Sequence, residues 1–120
     1  MTNMGNAKTI SLEITSKRAR GRGELLISAP VAALPPAVER AAYRLPTMTL
    51  TGVWQERAEL SVGMTWKSFG SSIVLTFEPV DAGTTRVVAT STPAVPTTLT
   101  DWGQGKADLA AVLNALAAEL

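Results

Sequence analysis

Asp101 and Lys106 have the spacing most suggestive of chemistry. They are a carboxylate and an ammonium within Asp101-Trp102-Gly103-Gln104-Gly105-Lys106, which reads as a helix start. Backbone N–H groups at a helix N-terminus favour anions, so the pair can be drawn as anchors for a polar ligand. The plainer reading makes Asp101 the helix cap, with Gln104 completing a capping box and Trp102 docking the helix. Lys67, in the turn Lys67-Ser68-Phe69-Gly70, either approaches that helix as a further anchor or simply turns the chain. The large apolar side chains Tyr43, Met48, Trp54, Met64, Trp66, Phe69 and Trp102 form a second group. Gathered between a sheet and a helix they would line a pocket for an apolar ligand, and the same residues would equally serve as ordinary core.

What is missing constrains the chemistry further. The chain has no histidine and no cysteine, which removes the usual general base near neutral pH, the thiolate nucleophile and most transition-metal ligand sets. Glu13, Glu24, Glu39, Glu56, Glu59, Glu78 and Asp81 fall at outward positions or turns, where no partner is in view to raise a carboxyl pKa. No phosphate loop, metal-ligand spacing or paired nucleophile and base is present, so no cofactor, no metal and no catalytic residue are expected. Net charge is +1, yet Lys17, Arg18, Arg20 and Arg22 hold four of the eleven positive charges, leaving seven against ten negative elsewhere. Such a cluster at a hairpin tip, without interleaved aromatics, reads as a solvated turn rather than a nucleic-acid surface.

Periodicity supplies the scaffold on which these residues would sit. Thr9 to Thr15 alternates as a half-buried strand, Lys17 to Gly23 reads as a turn, and Glu24 to Ser28 pairs back as a hairpin. Leu34, Val38, Ala41, Ala42 and Leu45 then make a helical stripe; Pro36 suits its first turn, Pro35 sets off Val31 to Leu34 as a separate turn, and Pro46 ends it. From Thr47 the period returns to two. Met48, Leu50 and Trp54 share one face of a strand, as do Ala58, Leu60, Val62, Met64 and Trp66 on the next. Ile73, Leu75 and Phe77, then Val87 and Ala89, continue an antiparallel meander with short links. Last comes a helix striped by Leu109, Val112, Leu113, Leu116 and Leu120.

One α+β domain over residues 8–120 is expected, with 1–7 a disordered tail. Apolar runs are too short for a membrane span and the N-terminus carries no secretory signal, so a cytoplasmic location is the default. The sheet, of five or six antiparallel strands, needs its apolar face covered. The last helix is the large apolar surface left to do it. Ile27-Ser28-Ala29-Pro30-Val31, the short helix, the meander and the closing helix together resemble the helix-grip fold of the START and Bet v 1-like superfamily (SRPBCC, polyketide-cyclase-like). Gly63-Met64-Thr65-Trp66-Lys67-Ser68-Phe69-Gly70 and Asp101-Trp102-Gly103-Gln104-Gly105-Lys106 resemble paired signatures of small uncharacterised bacterial proteins, in which Lys-Asn stands where this chain has Gln104-Gly105.

The resemblance bears on fold, and the leading reading of the residues is a non-catalytic domain that binds a small apolar ligand or a protein partner, a homodimer included. The resemblance also carries the alternative of a metal-free cyclase-like or isomerase-like enzyme, with Tyr43 and Arg44 at a pocket mouth polarising a carbonyl. A third reading is an interaction module that pairs through the open edge of its first hairpin.

Overall fold

The computed structural model describes residues 8–17, 20–63, 70–93 and 104–120, with 8–17, 20, 93 and 104–106 as backbone alone. Strands β1 (Lys8–Lys17) and β2 (Arg20–Ile27) form the first hairpin. A 3₁₀ turn at Val31–Ala33 leads into α1 (Leu34–Ala42), followed by β3 (Met48–Val53), β4 (Arg57–Val62), β5 (Ser71–Asp81), β6 (Thr84–Pro93) and α2 (Gln104–Ala118). The six strands make one antiparallel sheet in the order β1-β2-β6-β5-β4-β3. The meander therefore closes against the hairpin through β2 and β6, with Leu25 opposite Val87 and Ile27 opposite Thr85.

The break in the first helical segment falls where proline dictates. Pro35 and Pro36 follow Leu34 in the first turn of α1, where a missing N–H costs nothing, and the three residues before Leu34 tighten into the 3₁₀ turn. Leu34, Ala37, Val38 and Ala41 are buried along one stripe of α1. On α2 the expected stripe is also buried at Leu109, Val112, Leu113 and Leu116. These meet Leu25, Ile27, Leu60, Val62, Ile73, Leu75, Phe77 and Val87 from the sheet in one core. Each such side chain, fully buried, contributes about 1.5–3 kcal/mol. Thr85 is buried too, and its hydroxyl donates to the Ala29 carbonyl at 2.8 Å, tying β6 to the entrance of the 3₁₀ turn.

Three expectations are corrected. Arg20 to Gly23 belong to β2 rather than to a turn: Gly21 and Gly23 occupy the inner side of the alternation, buried on the face where α2 packs against β2, while Arg22 points outward. The covering layer is shared, with α2 against β1, β2 and β6 and α1 against β3 and β4. Finally, the face assigned to Trp54 is reversed. β3 pairs Leu50 with Leu60 but Gly52 with Glu59, so Thr51 is one extra residue and a β-bulge. Because side chains alternate with period two, that insertion exchanges the two faces for the rest of the strand. Val53 comes opposite the buried Ala58, and Trp54 turns outward, 54% exposed.

Candidate functional site

The space between sheet and helices is closed where the described residues line it. Val38, Ala41, Leu45, Leu60, Leu75, Val112 and Leu116 surround a void of about 10 Å³. That is the room of a single water, and an all-apolar lining gives a water no partner.

The large opening lies outside the core, at the corner where β3 turns into β4. A cleft of about 400 Å³ is lined by Val31, Ala32 and Pro35 on one side and by Gln55, Glu56 and Pro79 on the other. A second, shallower cleft of about 450 Å³ adjoins it, lined by Trp54, Gln55, Glu56 and Arg57. Gln55 and Glu56 are the wall common to both. The corner is held by backbone: the Trp54 N–H donates to the Arg57 carbonyl at 2.7 Å and the Phe77 N–H to the Glu56 carbonyl at 2.9 Å. The Thr51 bulge is pinned in the same way, its hydroxyl donating to the Glu59 carbonyl at 3.0 Å.

Trp54 packs its indole against Gly52, where any side chain would displace the ring. A Cβ on Gly52 would clash with Cη2 of the indole and lie 2.8 Å from its Cζ3, so the ring lies across the Gly52 backbone on the outer face. Arg57 forms an ion pair with Glu59. Glu56 forms no ion pair among the described residues and is the one charged residue among those lining the deeper cleft of about 400 Å³.

Of the expected pocket residues, the three that are described, Tyr43, Met48 and Trp54, do not come together. Met48 is buried in the core. Tyr43 is 90% exposed, because nine positions after Leu34 places it half a turn round from the α1 stripe. Arg44 is also on the surface, its Nε donating to Glu119 Oε2 at 2.6 Å, while Arg40 Nε donates to Oε1 at 3.0 Å. Two arginines one turn apart on α1 and its continuation thus clasp the end of α2. Hydrogen bonds from Arg44 and then Arg40 hold the Glu119 carboxyl below its usual pKa, against a smaller opposing effect of desolvation. Met64, Trp66, Lys67, Phe69, Asp101 and Trp102 lie outside the described residues, as do Arg18 and the expected tail, 1–7. Lys106 falls in the first turn of α2.

Two buried polar residues were not among the candidates. Asp108 on α2 is 5% exposed, four positions before Val112 and seven before Ala115, a spacing that places it on the buried stripe. Ser91 on β6 is 1% exposed and its hydroxyl has no hydrogen-bond partner among the described residues.

Comparison with solved structures defines the class: a small α+β domain of helix-grip type. Protein Ms6760 from Mycobacterium smegmatis aligns with a TM-score of 0.60 at 14% identity, over 93% of this chain and 97% of that one. The di-domain ARO/CYC BexL from the BE-7585A biosynthetic pathway aligns at 0.52 and 16% identity over 83% of this chain, which spans 45% of BexL. EF2215 from Enterococcus faecalis, a conserved protein of unknown function, aligns at 0.50 and 15% identity over 93% of this chain and 75% of that one. At such identities the likeness is one of fold. No protein-family model and no curated protein matches the chain.

Proposed function

We propose that this chain is a helix-grip domain of the START and Bet v 1-like kind that binds a small apolar ligand without catalysing a reaction, and that the ligand sits in the cleft between the 3₁₀ turn and the β3–β4 corner. One contrast carries the reading. The interior void lined by described residues holds about 10 Å³, whereas the cleft offers about 400 Å³ with Val31, Ala32, Pro35 and Pro79 as its apolar surface. That volume lies within the usual range for small-molecule sites, roughly 300–1,000 Å³, and a few polar groups among apolar ones is their usual lining.

The other readings draw less support. A metal-free cyclase-like enzyme takes its motive from the fold of BexL, but its candidates here are the exposed Tyr43 and an Arg44 engaged by Glu119. Pairing through a sheet edge meets two irregular edges. β1 shifts register between Ser11 and Thr15 and β3 between Leu50 and Gly52, and bulged edges are poor templates for a further strand. No helix among the described residues is long and apolar enough to cross a membrane.

The test is a titration of isotope-labelled protein with phenylbutanol, a small amphiphile with an apolar body, monitored by amide chemical shifts. Shifts confined to Val31, Ala32, Gln55, Glu56 and their neighbours are expected, with a concentration-dependent rise in melting temperature. An unchanged spectrum at millimolar ligand, or shifts centred elsewhere, would overturn the reading.

A further inference from the structure

The corner is arranged to meet charge as well as apolar surface. Glu56 is exposed, lines both clefts and pairs with no cation among the described residues. Arg57, the cation of the second cleft, is already matched by Glu59. A negative charge is thus left uncompensated at the common wall. Beside it stands Trp54, the six-membered ring of its indole against Gly52 and more than half of its surface open to solvent. The face of an indole attracts cations, and tryptophan does so best of the aromatic side chains.

Several features fix this pairing of groups. The Thr51 bulge turns Trp54 away from the core, Gly52 leaves room for the ring, and two backbone hydrogen bonds hold the turn that carries Glu56. Bulges recur next to functional sites because they re-aim a side chain. A tryptophan aimed at solvent and seated on glycine gains less from burial than one in the core, so its placement calls for a partner on its open face.

We infer that the ligand of this cleft is an organic cation: an ammonium group set against Glu56 and the Trp54 face, joined to an apolar body that lies along Val31, Ala32, Pro35 and Pro79. This rests on the ligand-binding reading above and narrows it to one charge class. The recognition is electrostatic and exposed, so its effect is moderate. Cation–π attraction at an exposed site together with a solvent-screened ion pair favours the cation about tenfold over a neutral molecule of the same shape.

Three probes that share a phenylalkyl body and carry a cationic, neutral or anionic headgroup decide it. Phenylbutylamine, phenylbutanol and phenylbutyrate are titrated at pH 7 into the wild type, Glu56→Gln and Trp54→Leu, with amide shifts as the readout and melting temperature as the check on folding. The expected result is an affinity order of amine, alcohol, carboxylate, with about tenfold between the first two that falls to about threefold or less in either variant. Equal binding of all three within the cleft would overturn the charge preference while leaving the ligand-binding reading intact. Binding of none, or shifts away from the corner, would overturn both. An amine preference that survives in both variants would also overturn the assignment to Glu56 and Trp54.

Discussion

Gly52→Ala separates the aiming of Trp54 from the stability of the fold. Trp54 keeps 54% of its surface exposed, and an indole side chain buries at most about 250 Å², so the covered part is about 100 Å². At about 25 cal/mol per Å² this covering is worth about 2.5 kcal/mol in all, and if Gly52 supplies about half of it, its contact is worth about 1 kcal/mol. An added methyl group cannot share that space, so the ring must swing off and forfeit the contact. The same substitution restricts the unfolded chain and returns about 0.4–1 kcal/mol. The two nearly cancel. Gly52→Ala should therefore melt within a few degrees of the parent, yet move the indole into water. In a background with Phe at Trp66 and Trp102, so that Trp54 alone emits, the emission should shift to longer wavelength and acrylamide quenching should rise. If both stay as in the parent, the indole does not lie on Gly52, and the bulge does not present it as described.

Two other perturbations test the scaffold. Ser91→Ala removes a buried hydroxyl without a partner among the described residues and should stabilise the protein by about 1 kcal/mol, raising the melting temperature by about 4 °C; a lower melting temperature would mean the hydroxyl is bonded in the folded protein. Glu119 has a folded pKa below its ordinary value of 4.5, so its contribution to stability is fully present above that value and is lost as pH falls through the lower, folded one. Melting curves of the wild type and Glu119→Gln should accordingly differ at pH 7 and converge below pH 4.5, and a gap that stays constant down to pH 3 would rule the two-arginine clasp out as its source.

Periodicity was a sufficient guide wherever strand or helix ran undisturbed. The alternation Ala58, Leu60, Val62 and the stripe Leu109, Val112, Leu113, Leu116 are buried as their spacing implies, and Pro35 and Pro36 mark the break before α1. Tyr43 and Asp108 were legible by the same rule. Continuing the α1 stripe by helical steps carries Tyr43 to the far side, and stepping back along α2 from Val112 brings Asp108 inside. The bulge at Thr51 is different in kind. Whether a strand holds one extra residue depends on the partner it pairs with, and nothing local in Thr49-Leu50-Thr51-Gly52-Val53 states that Glu59 will lie opposite Gly52. Gly21 and Gly23 misled for a related reason. Glycine marks turns by its freedom and strand interiors by its lack of a side chain, and only the helix packed against β2 distinguishes the two uses here.

The irregularity at β3 has two consequences that bear on function together. As an edge strand it would offer a row of backbone donors and acceptors to another chain, and the extra residue interrupts that row at Thr51, whose hydroxyl spans to the Glu59 carbonyl. The same residue reverses the parity of the strand, so Val53 enters the core against Ala58 and Trp54 leaves it. A regular β3 would put the indole on the inner face. The void there, between the helices and Leu60 and Leu75, is about 10 Å³, far below the volume of such a ring. The edge that resists a partner strand is thus also the edge that places Trp54 beside Glu56 in the wall of the corner cleft.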